Sequence, residues 1–342
     1  MVLVTGGTGF LGAHLLYHLL QKGERIRALK RAQSSFDLVH RVFSFYTKNC
    51  RQEFNRIEWQ DADLLDLFSL DEILEGITKV YHVAAKVSFQ PADHEEMMSV
   101  NVRGTANLVN TALERKVDRF CFVSSIAAIG RADNEKLIDE KTVWKESKRN
   151  SRYALSKYLA EKEVWRGFEE GLKGVIVNPS IILGPGEVNS GIAKLISIVN
   201  KGMKFYTTGI NGYVDVRDVA EIMIRLTNSE ITAERYVLSS ENVIYKDLMT
   251  SIAQSIDKPP PAIRATPVMA EIAWRLSYLQ SIITRSKPLI TKETSATAQN
   301  VYTYSNQKIK KLLDFKFIPV KESIKTACGY YLASTENHFE PE

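Results

Sequence analysis

The sequence predicts an α/β fold with a doubly wound parallel sheet and a smaller, mostly helical C-terminal region. Short apolar runs alternate with helical segments through the first 180 residues, which is the order of a parallel sheet covered by helices on both faces. A glycine-rich turn joins the first apolar run to the first helix at residues 6–12. Beyond about residue 180 the regular alternation stops, so we expect a different kind of structure there.

The overall composition is that of an ordinary globular protein, with 44% hydrophobic residues and a formal net charge of +5. No Lys/Arg run is dense enough to indicate nucleic-acid binding. Cys50, Cys121 and Cys328 are far apart, which predicts reduced thiols in a cytoplasmic protein. We expect no signal peptide, because strand residues begin at position 2. We also expect no segment that spans a bilayer, because the apolar stretches are short or interrupted.

Six strands account for the apolar runs of the first half, and helices or turns follow them. Ser69 reads as the N-cap of a helix that continues through Leu74. Apolar residues at helical spacing place other helices at 13–20, within 34–56, at 95–115 and at 152–170. The predicted strands begin at Val2 and then cover Arg25–Arg31, Ile57–Leu64, Val80–Ala85, Arg119–Ser125 and Val175–Pro179.

The C-terminal region begins with a turn at Gly184–Gly186 and a helix at 191–201. A short strand follows at Tyr213–Val216, after which Asp218 reads as the N-cap of another helix. Residues 258–261 form a stiff, proline-rich connector. The last eight residues, 335–342, read as a disordered tail.

A helix predicted at 267–283 carries one apolar stripe, which favours a core face or a lid over a pocket. Association with a membrane surface is the alternative, and Glu271 and Arg275 within the helix weigh against it. The stripe consists of Val268, Met269, Ile272, Leu276, Leu279 and Ile283.

The glycine-rich turn predicts a dinucleotide site. Gly7, Gly9 and Gly12 satisfy G-x-G-x-x-G, and Gly6, Gly9 and Gly12 satisfy G-x-x-G-x-x-G. The early glycines permit the tight turn, Gly9 lets the backbone approach a pyrophosphate, and Gly12 allows the helix to pack closely on the strand. A glycine-rich loop without a ligand is the alternative, but the position between a strand and a helix N-terminus favours phosphate binding.

Ligands of an open α/β sheet bind at the carboxyl ends of its strands. This rule gathers six segments around one cleft, where the chain should bind its ligands. The segments are Gly7–Leu11, Lys30–Arg31, Asp63–Leu64, Ala84–Ser88, Ser124–Ser125 and Pro179–Ile182.

The spacing Y-x-x-x-K places a phenol and an ammonium on one helical face, where the cation favours phenolate and makes tyrosine a usable acid or base. The spacing occurs three times, so at least two pairs are structural. Context favours Tyr153, because it begins the helix after the fifth strand, at the end nearest the cleft. The three pairs are Tyr153/Lys157, Tyr158/Lys162 and Tyr304/Lys308.

Further motifs lie in order along the chain. They are Thr5–Gly12, His82–Ala85, Asn101–Thr105, Val123–Ser125, Tyr153–Lys157, Val177–Ser180 and Tyr213–Ala220. Together they resemble the extended short-chain dehydrogenase/reductases of the NAD-dependent epimerase/dehydratase superfamily, from residue 2 to about 220, and 304–315 is similar to the family's closing segment. The resemblance implies a Rossmann domain over 1–180, with parts of 211–240 and 300–320 returning to it, and a substrate-binding region over 181–210 and 241–300.

This resemblance implies roles for individual residues. Tyr153 is the expected proton donor to a substrate carbonyl oxygen, Lys157 lowers its pKa and holds the nicotinamide ribose, and Ser125 hydrogen-bonds the reacting oxygen. Ser124 is the lesser alternative to Ser125, and Asn101 is either catalytic or an amide that bends its helix. The cofactor would transfer hydride. The expected cofactor contacts are Gly6, Gly9, Phe10, Leu11, Gly12, Arg31, Lys30, Asp63, Leu64, Ala84, Ala85, Lys157 and Pro179.

No metal is expected in this chemistry. His14 and His18 are four residues apart on the first helix, but they lack a third ligand. The expected partner is a small-molecule substrate, and no ligand motif in residues 185–300 identifies it.

The end of the second strand favours NADPH over NAD. An acidic residue there would accept hydrogen bonds from the adenosine ribose and indicate NAD, whereas this chain has Lys30 and Arg31. A guanidinium can bind a 2′-phosphate through two hydrogen bonds, so Arg31 is the expected main ligand, with Lys30 or Arg27 secondary. A basic strand end that only faces water is the alternative, and NAD is then the second candidate cofactor.

Departures from the family's motifs narrow the expected chemistry. Ile126 and Ala127 stand where sugar-nucleotide dehydratases carry an acidic pair, and Ala127 stands where hexose epimerases place a second hydroxyl. Asn211 and Gly212 stand where those epimerases use an arginine to hold a nucleotide diphosphate. The sequence is then most similar to the dihydroflavonol-4-reductase and 3β-hydroxysteroid dehydrogenase branch, which implies reduction of an apolar carbonyl or oxidation of the alcohol.

Two other functions stay open. One is a nucleotide-sugar epimerase that uses NAD(P). The other is a dinucleotide-sensing regulator without turnover, a class that typically lacks the Tyr and Lys found here at 153 and 157. The resemblance also implies a homodimer formed through the helices near 95–115 and 152–170.

Overall fold

The structure, a computed structural model, describes residues 1–130, 137–147, 150–188, 191–284 and 298–336. Its strands supply one large sheet and two small ones. In chain order they are β1 (Val2–Thr5), β2 (Ile26–Lys30), β3 (Ile57–Asp61), β4 (Lys79–His82), β5 (Arg119–Val123), β6 (Gly174–Pro179), β7 (Ile181–Leu183), β8 (Phe205–Tyr206), β9 (Ile210–Asp215), β10 (Glu234–Leu238), β11 (Glu241–Ile244) and β12 (Ile263–Arg264).

The large sheet has seven strands in the order β3–β2–β1–β4–β5–β6–β10. All neighbouring pairs run parallel, so the carboxyl ends of the strands meet along one edge. The strand order reverses between β1 and β4, and such a reversal point is where ligands of this architecture bind. The predicted doubly wound parallel sheet is confirmed. β10 is a seventh strand that the sequence pattern did not reveal.

Helices cover both faces of this sheet. A π-helical turn at Ser99–Arg103 joins the fifth helix to the sixth. The helices are α1 (Phe10–Gln21), α2 (Asp37–Tyr46), α3 (Cys50–Phe54), α4 (Leu67–Ile73), α5 (His94–Met98), α6 (Gly104–Glu114), α7 (Arg152–Glu169), α8 (Gly191–Asn200), α9 (Val216–Thr227), α10 (Tyr245–Ser255), α11 (Pro267–Thr284), α12 (Gln307–Leu313) and α13 (Val320–Glu336).

Two hydrophobic cores lie on opposite faces of the large sheet. Val2 and Val4 pack in the first core with α1, α2 and α9, whereas Leu3 packs in the second with α4, α6 and α7. Successive strand residues face opposite sides, and all three of these side chains are at most 1% exposed. Each buried aliphatic side chain contributes roughly 1.5–3 kcal/mol. Burial on both faces explains why β1 is an uninterrupted apolar run.

The C-terminal region combines helices with short strands. β9 pairs with β7 and β11, and β8 pairs with β12. α8, α10 and α13 enclose a third core that includes Ile196, Ile252 and Ile324. Within the described ranges, every helix is too short or too polar to cross a membrane.

Two predicted helix caps are wrong by three residues. Asp66, rather than Ser69, caps α4, and its side chain accepts the N–H of Phe68. Asp215, rather than Asp218, caps α9 and accepts the N–H of Arg217. Both aspartates have the extended backbone of an N-cap, whereas the predicted residues lie inside the helices.

The predicted disordered tail over 335–342 is wrong at its first two residues. Thr335 and Glu336 belong to α13, and residues 337–342 lie outside the described residues. The predicted helix over 267–283 is present as α11. Three members of its apolar stripe, Met269, Ile272 and Leu276, line a large cavity, as a pocket lid requires. The side chains of Leu279 and Ile283 lie outside the description.

Candidate active site

The glycine-rich turn joins β1 to α1 at the reversal point of the sheet. Gly6 has a φ of +72°, and a Cβ there would lie 2.7 Å from the Ala84 nitrogen, so only glycine fits between β1 and the end of β4. A Cβ on Gly12 would lie 2.0 Å from the Gly6 carbonyl oxygen. The Gly9 N–H donates to the same oxygen at 3.0 Å. The turn and the start of α1 are therefore in direct backbone contact, as the motif predicts.

The N-terminus of α1 opens into the cavity. Gly9 is its N-cap, and no side chain among the described residues caps this end, so the first N–H groups remain available to an anion. A Cβ on Gly9 would contact only the Gly6 carbonyl oxygen, at 3.2 Å. Phe10 and Leu11 line the cavity beside the turn. This arrangement fits the pyrophosphate of a dinucleotide.

A buried hydrogen-bond chain fixes β4 beside β1. His82 Nδ1 lies 2.8 Å from Thr5 Oγ1, and His82 Nε2 lies 2.9 Å from Thr105 Oγ1. The Thr105 hydroxyl donates to the Asn101 carbonyl, so the imidazole donates through Nε2 and accepts at Nδ1. Burial lowers the pKa of His82 to about 3, which keeps the ring neutral. The Ala84 N–H then donates to Thr5 Oγ1 at 3.2 Å.

Tyr153 lies in the first turn of α7, at the carboxyl end of β5. Ser151 caps this helix by accepting the Ala154 N–H at 2.9 Å. Burial raises the pKa of Tyr153 above its usual value of 10.0, and a hydrogen bond with Ser125 offsets part of the increase. Ser125 also accepts the Ala127 N–H at 3.1 Å, which fixes the turn after β5. The structure therefore brings Tyr153 and Ser125 together, with the phenol protonated.

Lys157 lies one helical turn after Tyr153 and is 2% exposed. Its Nζ donates to the Val123 carbonyl at 2.7 Å and lies 4.5 Å from the centre of the Phe122 ring. Burial lowers its pKa to about 7, against the opposing effect of Glu161. In this geometry the pKa of Tyr153 is raised, rather than lowered as predicted, because burial of the phenol dominates.

Asn101 connects the loop after β4 to α7. It lies in the π-helical turn and is 1% exposed. Its Oδ1 accepts the Lys86 N–H at 2.7 Å, and its Nδ2 donates to the Lys86 carbonyl at 2.9 Å and to Ser156 Oγ at 3.0 Å. None of these contacts, among the described residues, reaches Tyr153 or Lys157. These bonds tie the loop after β4 to α7, and the catalytic role of Asn101 stays a prediction.

Ser124 belongs to a different group from Ser125. Its Oγ donates to Glu161 Oε2 at 2.7 Å inside the protein, so the choice of Ser125 as the partner of Tyr153 agrees with the geometry. Sequence reasoning missed Glu161. The signal that could have found it is its position four residues after Lys157, on the same helical face.

The basic residues of β2 have different surroundings. Arg27 donates to Glu58 Oε1 and to the Ile73 carbonyl, both at 2.7 Å, so the prediction of Arg27 as a secondary cofactor ligand is wrong. Lys30 forms an ion pair with Asp61. Arg31 has no ion pair among the described residues, and both Lys30 and Arg31 line the cavity.

The remaining predicted contacts lie along the same cavity. Asp63 Oδ1 accepts the Leu65 N–H at 2.9 Å, and the Leu64 carbonyl accepts from Asn107 Nδ2 at 2.9 Å. These bonds fix the loop after β3. The cavity lining includes Asp63, Leu64, Ala84, Ala85, Ser125, Tyr153, Lys157 and Pro179.

One cavity of about 1630 Å³ joins the glycine-rich turn to the C-terminal region. Its volume exceeds the roughly 300–1,000 Å³ of a single small-ligand pocket, which leaves room for a dinucleotide and a second molecule. Its far end is largely apolar, and its polar members are Lys194, Tyr206, Thr207, Asn211, Tyr213 and Tyr245. The apolar members include Ile181, Leu195, Ile198, Met203, Phe205, Met249, Met269, Ile272 and Leu276.

The other two Tyr/Lys pairs are structural. Tyr158 stacks on Trp144 with ring centres 4.4 Å apart. Lys308 forms an ion pair with Glu234, and Tyr304 is 4% exposed in a small buried cluster. Neither pair belongs to the described lining of the cavity.

His14 stabilises the turn beside the dinucleotide site, whereas His18 Nε2 lies 3.3 Å from the Tyr46 hydroxyl. His14 Nε2 lies 2.9 Å from the Pro185 carbonyl, and its Nδ1 lies 2.6 Å from the Tyr46 hydroxyl. Burial lowers the pKa of His14 to about 3, so the neutral ring donates to Pro185. In the described part of the chain, no group of three or more His, Cys, Asp or Glu side chains is placed to hold a metal ion.

The fold and this site define a Rossmann-type NAD(P)-dependent oxidoreductase. Residues 2–239 match the model of the NAD dependent epimerase/dehydratase family, and the chain therefore belongs to that family. The match includes the glycine-rich turn, Ser125, Tyr153 and Lys157, and it ends just after β10.

Similar proteins are named as reductases. The chain is 30% identical to the "Putative dihydroflavonol 4-reductase" of Synechocystis sp. over 344 residues, covering 98% of this chain and 94% of that protein. It is 29% identical to cinnamoyl-CoA reductase 1 of Petunia hybrida over 336 residues, covering 95% and 90%. The crystal structure of gox2253 superimposes with a TM-score of 0.78 at 29% identity, covering 97% of this chain and 98% of that chain.

Proposed function

We propose that the protein is an NADPH-dependent reductase of a ketone or aldehyde on an apolar molecule, or the dehydrogenase of the corresponding alcohol. The observation that carries the proposal is that Ser125, Tyr153 and Lys157 share one cavity with the glycine-rich turn and an apolar wall. Relatives named dihydroflavonol 4-reductase and cinnamoyl-CoA reductase support reduction as the class of reaction.

The strand ends would hold the cofactor. The bare backbone of the glycine-rich turn and the N-terminus of α1 suit its pyrophosphate, Asp63 and Leu64 its adenine, and Lys157 its nicotinamide ribose. When bound, the nicotinamide cofactor supplies a hydride. The protein then has to supply a proton and hold the carbonyl in place.

Tyr153 holds the proton that reduction of a carbonyl consumes. Its raised pKa keeps the hydroxyl protonated near neutral pH, and its hydrogen bond with Ser125 orients it. A carbonyl oxygen that contacts both hydroxyls would take the proton from Tyr153 while Ser125 stabilises the developing negative charge. The nearby Lys157 cation favours the phenolate that remains on Tyr153.

Arg31 supports the preference for NADPH. It lines the cavity at the end of β2, where the ribose of a bound dinucleotide is expected. Its guanidinium has no ion pair among the described residues, whereas the neighbouring Lys30 is paired with Asp61. A free guanidinium can bind a phosphate through two charge-assisted hydrogen bonds.

The apolar wall disfavours the alternative of a nucleotide-sugar epimerase. Between residues 181 and 276, the described lining contains one cation, Lys194, and no Asp or Glu. A sugar nucleotide carries two phosphates and many hydroxyl groups, which need several polar partners once they leave water. Asn211 and Gly212 also stand where the epimerase pattern has its arginine.

A substrate panel tests this proposal. Purified protein is given NADPH or NADH together with bulky apolar ketones, aldehydes, an aryl-acyl-CoA thioester, or UDP- and GDP-sugars. Oxidation of NADPH with the apolar carbonyls, and no change in the sugar nucleotides, is the expected result. Epimerisation of a sugar nucleotide without net oxidation of the cofactor would contradict the proposal and favour the alternative.

A further inference from the structure

Both carboxylate oxygens of Glu161 accept hydrogen bonds inside the protein. It lies in α7 and is 3% exposed. Its Oε2 accepts from Ser124 Oγ at 2.7 Å and from Asn178 Nδ2 at 2.9 Å. Its Oε1 accepts from Arg235 Nη1 at 3.0 Å and from Trp165 Nε1 at 3.4 Å. A buried charge is costly unless it is paired and hydrogen-bonded, and here both conditions are met.

Two of these contacts hold the end of β5. The side chain of Ser124 is bonded directly to Glu161. Asn178 bonds Glu161 and also donates from Nδ2 to the Ser125 carbonyl at 3.0 Å. The carboxylate therefore restrains the backbone on both sides of the Ser124–Ser125 peptide bond, and Ser125 is the residue that contacts Tyr153.

The charge of Glu161 also acts on Lys157. Both residues lie on the same face of α7, and the carboxylate raises the pKa of Lys157 against the effect of burial. The other groups near this ammonium are His82, which is neutral, and Tyr153, which is protonated. Lys157 itself donates to the Val123 carbonyl at 2.7 Å. Glu161 is thus the negative charge among the described groups that favours a charged Lys157.

Arg235 connects this group to the edge of the sheet. It lies on β10 and forms an ion pair with Glu161 at 3.0 Å. Its Nη2 donates to the carbonyls of Glu140 and Thr142 at 2.6 and 3.0 Å. The guanidinium is therefore fixed by three acceptors and offers Glu161 a counter-ion in a defined place.

We propose that Glu161 is a positioning residue of this active site, which holds Ser125 through Ser124 and Asn178, supports the charge of Lys157, and has Arg235 as its counter-ion. The proposal rests on the proposed reductase function for the reaction that the site performs. It predicts, however, a change that is measurable in the protein without cofactor or substrate.

Glu161→Gln removes the charge and keeps the size of the side chain. In the cofactor-free variant, the pKa of Lys157 should fall below that of the wild type. It is followed by NMR titration of protein labelled with ¹³Cε-lysine, with the Lys157 signal assigned by its loss in Lys157→Met. With a carbonyl substrate, kcat should decrease about tenfold or more, as expected for loss of hydrogen bonds to a charged group. The alkaline limb of kcat should move to lower pH, with little change in the KM for NADPH.

Two further variants separate the roles. Glu163 lies on the same helix and pairs with Arg166 at the surface. Glu163→Gln should therefore leave the Lys157 titration and kcat unchanged. Ser124→Ala removes one hydrogen bond but keeps the charge of Glu161. It should lower kcat without moving the alkaline limb, and an unchanged kcat would contradict the positioning of Ser125 through Ser124.

An unchanged Lys157 titration in Glu161→Gln, with kcat lowered equally at every pH, would overturn the proposal and leave Glu161 a structural residue. If the wild type reduces no carbonyl substrate, the proposed function fails. The Lys157 titration still decides the role of Glu161 in that case.

Discussion

Lys157 is an ionisable side chain that is almost fully buried. The free energy of unfolding of the cofactor-free protein should therefore depend on its protonation. Burial lowers its pKa from 10.5 to about 7. Between these pH values the unfolded chain binds more protons at this residue than the folded protein. The residue therefore destabilises the fold increasingly as the pH falls toward 7, and this cost is lost as the pH rises.

Lys157→Met should make the free energy of unfolding less dependent on pH. Because the variant has no proton to lose at this position, its advantage in stability over the wild type should be largest at and below about pH 7. That advantage should shrink by about 2 kcal/mol between pH 7 and pH 9. Urea unfolding of both cofactor-free proteins across this range measures the difference. A difference that stays constant with pH would contradict the lowered pKa.

Arg31→Glu tests the assignment of the 2′-phosphate site. A carboxylate should repel the phosphate where the guanidinium attracts it, so the dissociation constant for NADPH should rise roughly 10–100-fold. The constant for NADH should change little. Arg25→Glu is the matched control, since it makes the same charge change at the amino end of β2, and fluorescence titration measures both cofactors. Equal losses for NADPH and NADH would refute the assignment.

Sequence context was sufficient to place Tyr153 beside the cavity, but it did not distinguish the basic residues of β2. Tyr153 is marked by its place at the start of a helix after a strand, which follows from chain order alone. Arg27 and Arg31 differ in whether an acidic side chain on β3 lies beside them, and chain order alone does not predict this. The register of β2 on β3 places Arg27 beside Glu58 and Lys30 beside Asp61, so both are paired, while Arg31 lies just beyond the strand.

At the level of elements, Asp215 links two helices at the start of α9. It is 1% exposed and accepts from the Arg217 N–H at 2.9 Å and from Arg217 Nη2 at 2.7 Å. Ser323 of α13 also donates to it, at 2.6 Å. Removal of this carboxylate leaves a guanidinium without its acceptor and leaves the Ser323 hydroxyl with the more distant Pro319 carbonyl, at 3.5 Å.

Asp215→Ala should therefore cost far more than the loss of an ordinary helix cap. We expect a decrease of about 3 kcal/mol in the free energy of unfolding, as for a broken buried ion pair. Asp66→Ala, which removes the exposed cap of α4, should cost about 1 kcal/mol. Chemical denaturation of both variants gives the comparison. Equal losses would show that Asp215 acts as a simple cap.

The helical segment after β4 contains a π-helical turn that the periodicity of its sequence does not predict. The sequence predicts one helix over 95–115, and helical structure does cover this range. The π-helical turn within it includes Asn101, whose amide bonds both backbone groups of Lys86. Those bonds join residues 15 apart in the chain, so a pattern of local spacing cannot predict the π-helical turn.

At the level of the whole molecule, the two ends of the cavity differ in how far sequence predicts them. The dinucleotide end follows from the rule that strand ends meet at one edge. The other end brings together residues from β7, α8, β8, α10 and α11, which no single periodicity connects. The apolar stripe of α11 predicted one wall of this end, and the other members become known only once the chain is folded.

The predicted homodimer remains a proposal, through the face formed by α6 and α7. Arg166 of α7 donates to Asn110 of α6 at 2.7 Å on this exposed face. Light scattering should give twice the chain mass for the wild type. Asn110→Lys, which puts a second cation beside Arg166, should weaken the dimer, whereas Glu72→Lys on α4 should not. A monomeric wild type would rule out this proposal.

Turnover by Tyr153→Phe tests the central claim most directly, because the change removes one hydroxyl and keeps the ring. Steady-state oxidation of NADPH with an apolar carbonyl, together with NADPH binding by fluorescence titration, is measured for variant and wild type. We predict a loss of about 10²–10⁴-fold in kcat, with the dissociation constant for NADPH changed less than about twofold. A variant that reduces the carbonyl at the wild-type rate would contradict the assignment of Tyr153 as the proton donor.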